Sequence, residues 1–305
     1  MTSLRIYRNQ SMSILVDEQS STKHQALADA YHHCLNLTRS HYENFPVASR
    51  LLPRQLQRPI SVIYAFARSA DDFADEGDLP AEIRLARLDD YVSKLDAIRR
   101  QQVITDPIFV ALADVIARHQ LPFEPFYDLL AAFRQDVTKQ RYADYAEVLD
   151  YCRHSANPVG RLVLHLAREA TPDNLRDSDA ICTALQLINF WQDLDQDLSE
   201  NDRIYLPQDE MAACGVTIEQ LAARRSDTAL RSLLDTQIER ARHLIVSGAP
   251  LGHRLKGRLG LEIRATVQGG LGVLDALARR EDLFARPRLR RRDWLGILWR
   301  ALFSQ

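Results

Sequence analysis

No apolar run in these 305 residues approaches the roughly 18–20 needed to cross a bilayer, which excludes a membrane-spanning helix. The N-terminal stretch has no signal-peptide core either, because Asn9, Gln10, Asp17 and Glu18 interrupt it. Cysteine is sparse: Cys34, Cys152, Cys182 and Cys214 show no C-x-x-C spacing, so neither a zinc ribbon nor a disulfide framework is expected. Glycine is also scarce for its kind, at 11 of 305 and about half its usual share. No G-x-G-x-x-G or P-loop pattern occurs, which removes support for a nicotinamide or ATP fold. These absences lead to a cytoplasmic protein with buried thiols, in which residues 1–22 form a loose extension.

Hydrophobic residues make up 46% and charged residues 26%, an ordinary balance for a globular chain. Strong helix formers abound where glycine is rare, which points to an all-α fold. The net charge of −2 carries no global nucleic-acid signal. Its distribution is uneven, however: Arg286, Arg288, Arg290, Arg291, Arg292 and Arg300 face one acid, Asp293.

Apolar spacing predicts helices over about 24–38, 60–75, 81–101, 106–119, 123–138, 143–170, 178–199, 218–224, 228–247, 256–280 and 291–302, with a further region around 44–52. Pro158 is expected to kink the element over 143–170. No repeat, low-complexity stretch or linker divides the chain. The expectation is one domain over 23–285, with about ten or more helices around a central cavity, followed by a basic amphipathic tail over 286–305.

The chemistry lies in two D-x-x-x-D pairs. Residues four apart share a helix face, so Asp71 and Asp75 stand side by side, with Arg68 one turn back. Asp193 and Asp197 repeat the pattern with Asn189 on their face, after the largely apolar run Ala184–Trp191. Two bare carboxylates at this spacing repel by a few tenths of a kcal/mol, and a hard divalent cation offsets that. Mg²⁺ takes one or two carboxylates and completes its shell with phosphate oxygens and water. An arginine beside it suits a phosphate through its fork of donors. One such pair is commonly an exposed helix face; two, about 120 residues apart, point to a metal–diphosphate site.

Five runs occur in order: His41-Tyr-Glu-Asn-Phe-Pro-Val-Ala-Ser-Arg50-Leu-Leu-Pro53, Ile63 to Glu76, Tyr151-Cys-Arg-His-Ser-Ala-Asn-Pro-Val-Gly160, Gln186 to Asp197, and Arg203-Ile-Tyr-Leu-Pro207. Together they resemble the squalene/phytoene synthase family over about His24 to Leu283. Within it, the runs starting at Glu43, Ser155, Asn189 and Arg292 are most similar to the hydroxysqualene synthase subgroup of bacterial hopanoid biosynthesis. The resemblance implies an isoprenoid synthase fold. It also implies conversion of presqualene diphosphate and water to hydroxysqualene and diphosphate, with about two or three Mg²⁺ ions bridging the diphosphate. No NADPH is expected.

Carried over by position, Asp71, Asp75, Asp193 and Asp197 would hold metal. His41, Arg68, Asn189, Gln192 and Arg203 would lie on the diphosphate side, and Tyr151, Asn157 and Tyr205 would line the reaction cavity. His41 and Tyr151 also have plain packing readings. Many relatives carry Arg where this chain has Gln192, a loss better tolerated by an enzyme that ionises one diphosphate than by one that joins two. Many carry Gly or Ser where Asn157 stands, and an amide there suits the placing of water. The family leaves two other activities open: condensation of two farnesyl diphosphates, and a non-enzymatic assembly-factor role.

The tail combines its arginines with Trp294, Leu295, Leu298, Trp299 and Leu302, which suits either an anionic lipid surface or docking on the protein's own surface. The partners expected are the prenyl diphosphate, peripheral contact with the inner face of the membrane, and handover with a presqualene diphosphate synthase and a hydroxysqualene oxidoreductase. No nucleic-acid partner is expected.

Overall fold

The computed structural model describes residues 24–39, 53–75 and 79–287. Regular structure among them is helical, apart from an isolated parallel bridge between Arg141 and Ile204. In chain order the helices are α1 (24–39), α2 (Arg54–Asp75), α3 (Ala81–Arg99), α4 (Pro107–His119), α5 (Glu124–Thr138), α6 (Tyr145–Ser155), α7 (Asn157–Ala167), α8 (Pro172–Gln192), α9 (Leu194–Asn201), α10 (Gln208–Cys214), α11 (Ile218–Ala222), α12 (Thr228–Gly248), α13 (Leu251–Arg254) and α14 (Gly257–Arg279). The predicted helical regions at 44–52 and 291–302 lie outside the described residues.

Side-chain caps set several starts. Asp106 accepts from the backbone N–H groups of Ile108 and Phe109, Asp144 from Glu147, Thr171 from Asn174 and Asp227 from Leu230. Each satisfies a donor that the first helical turn leaves unpaired. The Thr171 cap, followed by Pro172, starts α8 six residues before the apolar periodicity does. The element predicted over 143–170 is broken rather than kinked. Helix α6 stops at Ser155 and α7 restarts at Asn157 with Pro158 in its first turn, where a missing N–H leaves no bond unmade.

The helices pack in two groups. In the first, α2 packs on α3, α4 and α5, and the Phe66 ring meets Tyr91, Phe109 and Phe126 at 5.5–5.8 Å between centroids. In the second, α8 packs against α12, α7 and α14. Helix α7 contacts both α2 and α8 and so joins the groups. Close approach needs small residues: a Cβ added at Gly160 would collide with Ser178 and Cys182 of α8, and one at Gly248 with the backbone of Asp177. Cys34 and Cys152 are buried as expected, but Cys214 ends a short outer helix and is exposed.

Candidate active site

The first aspartate pair is a local construction. Arg68, Asp71 and Asp72 sit within one turn near the end of α2, and Asp75 closes it. The Arg68 guanidinium lies 2.7 Å from Asp72 Oδ1 and 3.4 Å from Asp71 Oδ2. Its nearer partner is therefore Asp72, the acid between the two expected ligands. All three side chains are between a third and two-fifths exposed or nearly so, and such pairs stabilise little. They leave Arg68 and the carboxylates open to a charged ligand. The Asp75 side chain and His41 lie outside the described residues.

The second pair is built differently. The helix predicted over 178–199 breaks at Asp193, which ends α8 and precedes α9 with φ −104° and ψ 15°. Helical bonding nevertheless carries across the break: Asp193 N donates to Asn189 O at 2.9 Å, and Asp197 N to Asp193 O at 2.7 Å. The two carboxylates keep their four-residue relation, one at the hinge and one on α9. Asn189 is exposed on the last turn of α8.

Distant chain then crosses this motif. Arg286 pairs with Asp193, its Nη2 donating to Oδ2 at 2.9 Å while its Nε contacts Oδ1. Gln192 Nε2 donates to the Pro287 carbonyl at 2.9 Å. Arg280, buried, donates through Nη1 to the carbonyls of Trp191 at 3.0 Å and Ala285 at 3.1 Å. Its Nε and Nη2 find no partner among the described residues, and burial lowers its pKa to about 10.

Beneath the second pair lies a buried cluster. The Phe190 and Tyr205 rings stack at 3.6 Å with 7° between planes, and Tyr142 stacks on Tyr205 at 5.4 Å. Tyr151 touches Tyr142, Phe190 and Tyr205 and donates its hydroxyl to Asp136 Oδ2 at 2.8 Å. Arg203 Nη2 donates to the Asp136 carbonyl at 3.1 Å, and the Arg203 backbone N–H donates to Asp197 O at 2.9 Å. Burial first, then the Asp136 charge, pushes the Tyr151 and Tyr205 hydroxyls well above the usual tyrosine range, so both stay protonated. Arg203, expected on the diphosphate side, is buried on Asp136 and ties that acid to the second aspartate motif.

Asn157, whose amide was expected to place water, is also buried, its Oδ1 accepting from Thr183 Oγ1 of α8 at 2.9 Å. Sequence reasoning missed Asp136, Tyr142 and Phe190. One signal was available: Asp136 is a lone acid on the apolar face formed by Phe126, Leu129, Leu130, Phe133 and Val137. A cavity of about 720 Å³, lined by Ser69, Phe73, Tyr91, Lys94 and Asp106 among others, lies beside α2–α4 and holds none of the predicted site residues.

Among the described residues no three His, Cys, Asp or Glu side chains converge into a metal cage. The donors at the two motifs are carboxylate oxygens in pairs, each beside an arginine. That set suits Mg²⁺, which needs few protein ligands when phosphate and water supply the rest.

The sequence profile of the squalene/phytoene synthase family matches residues 38–294. The chain belongs to that family. Among curated relatives, the hydroxysqualene synthase of Rhodopseudomonas palustris is 36% identical over 264 residues, covering 86% of this chain and 89% of that protein. The hydroxysqualene synthase of Zymomonas mobilis is 35% identical over 259 residues, covering 84% and 85%. Among solved structures, the squalene synthase HpnC of Alicyclobacillus acidocaldarius superposes with a TM-score of 0.77 at 39% identity, covering 83% of this chain and 94% of that one. A dehydrosqualene synthase shares the fold, with a TM-score of 0.77 at 22% identity. The family match runs through Arg286 and Pro287, the residues that cross the second motif.

Proposed function

We propose that this chain is a hydroxysqualene synthase, converting presqualene diphosphate and water to hydroxysqualene and diphosphate. The observation that carries the reading is the likeness to hydroxysqualene synthases over more than four-fifths of both chains. The geometry supports it. Asp71, Asp75, Asp193 and Asp197 would hold Mg²⁺, which when bound neutralises charge growing on the leaving diphosphate. Arg68 and the exposed Asn189 lie on the same two motifs, positioned to bind the diphosphate. The carbon–oxygen bond breaks with its electron pair leaving on the diphosphate. The Tyr142, Tyr151, Phe190 and Tyr205 rings provide an apolar, electron-rich wall for the cation left behind. Water bonds to that cation as the cyclopropane opens, one of its protons stays on the new hydroxyl, and the other passes to the released diphosphate or to solvent.

Arg203 and Asp136 support this wall and do not touch the reacting atoms. The basic amphipathic tail would place the protein at the membrane where C30 substrate and product reside, in handover with the enzymes before and after it. No helix among the described residues is long and apolar enough to cross a membrane.

The test is incubation of the pure protein with Mg²⁺ and either presqualene or farnesyl diphosphate, with products separated by mass spectrometry. Hydroxysqualene from presqualene diphosphate alone is the expected result. Product from farnesyl diphosphate alone establishes condensation instead, the reading favoured by the name of the Alicyclobacillus neighbour. Absence of Mg²⁺-dependent diphosphate release from either substrate overturns both in favour of a non-enzymatic role.

A further inference from the structure

The segment after α14 is fastened to three consecutive residues of the second motif. Trp191 is held by Arg280 through its carbonyl, Gln192 holds the Pro287 carbonyl, and Asp193 is held by Arg286. The first anchor is buried, with Arg280 8% exposed. The last is open, with the Arg286 side chain 33% exposed. A strap fixed at a buried end and carrying a cation at its accessible end keeps that cation at the motif while leaving its head free to change partners.

Arg286 engages both oxygens of Asp193. A metal ion on that carboxylate and a guanidinium across both its oxygens compete for the same lone pairs. The residue directly before Asp193 is an amide, Gln192, and contributes no charge. Its side chain instead grips the backbone of Pro287, the neighbour of Arg286. Position 192 thus anchors a cation where it does not supply one.

We propose that Arg286 is the diphosphate-binding cation of the second motif, turning from Asp193 to a diphosphate oxygen as that aspartate takes metal. This rests on the reading of the site as a Mg²⁺–diphosphate centre. Gln192 and Arg280 are positioning residues that hold the strap in register. The second motif then matches the first, where Arg68 stands between its carboxylates and the same ligand. The difference lies in origin, since one arginine comes from the same helix turn and the other from 93 residues along the chain.

Binding of inorganic pyrophosphate in Mg²⁺ to the full chain, measured by calorimetry, tests the exchange without turnover. Arg286→Gln is expected to weaken pyrophosphate roughly tenfold or more, the loss of a charge-assisted contact, while Arg286→Lys retains part of the affinity. Mn²⁺ alone, followed by electron paramagnetic resonance, should bind Arg286→Gln at least as tightly as wild type, because the competing guanidinium is gone. The double variant Gln192→Arg/Arg286→Gln should regain most of the pyrophosphate affinity. Unchanged pyrophosphate binding in Arg286→Gln, or equal weakening of Mn²⁺ and pyrophosphate, overturns the exchange and leaves a structural ion pair. Wild-type protein that binds no pyrophosphate in Mg²⁺ overturns the functional reading as well, so the two failures are told apart.

Discussion

The two aspartate motifs carry the same spacing and are made in opposite ways. On α2, charge partners come from one helical turn, and the Arg68, Asp71 and Asp72 contacts exist wherever that helix forms. At the α8–α9 junction the backbone bends at Asp193, and the motif's partners arrive from residues 203, 286 and 287. A local site depends only on its helix. A site assembled from distant chain depends on the packing of the whole second group of helices, and it can respond to changes there.

The sharpest way to break this comparison is to remove one carboxylate from each motif. Asp71→Asn and Asp193→Asn should each lower hydroxysqualene formation by roughly a hundred- to a thousandfold, as expected when charge stabilisation of a leaving group is lost. Steady-state product formation checks this, and activity within tenfold of wild type in either variant removes that motif from the chemistry. Asp136→Asn comes next. It leaves Arg203 buried beside a neutral amide and should destabilise the fold by about 3 kcal/mol in urea unfolding. The contrasting Arg68→Gln, at an exposed pair, should shift stability by less than about 0.5 kcal/mol. The same Arg68 variant should nonetheless weaken pyrophosphate binding roughly tenfold, since its task is the ligand and not the fold.

Smaller effects refine the picture. Asn157→Ala removes the bond from Thr183 and should reduce stability by about 1 kcal/mol with the hydroxysqualene fraction unchanged. A shift of product towards other alcohols or hydrocarbons would instead establish a water-placing role. Asp195→Asn, which breaks only an exposed pair with Arg224, should leave turnover within about twofold.

The contrast between the motifs also explains what was legible in the sequence. Helix content followed from glycine scarcity and apolar period, and the Asp71 and Arg68 neighbourhood from spacing alone, because both are set within a few residues. The α6–α7 break and the early start of α8 follow from Pro158 and the Thr171–Pro172 cap, local signals that outweigh periodicity. Arg203 shows the limit. The family resemblance implied a place near phosphate for it, but its partner Asp136 lies 67 residues away on α5, and only the packed fold brings them together. Arg286 was read as part of a basic tail for the same reason: nothing near it in sequence marks Asp193 as its partner.

The bend at Asp193 has a mechanical side. A residue located at a joint has its carboxylate carried by the angle between two rods, α8 rooted in the core and the eight-residue α9 resting on it through Leu194 and Leu198. An ion seated between Asp193 and Asp197 would bear directly on that angle, whereas the outward ties of α9, Asp195 to Arg224 and Arg224 to Asp282, are exposed pairs that stabilise little. The joint itself, more than those surface pairs, is then where a change in either rod would be felt by the carboxylate.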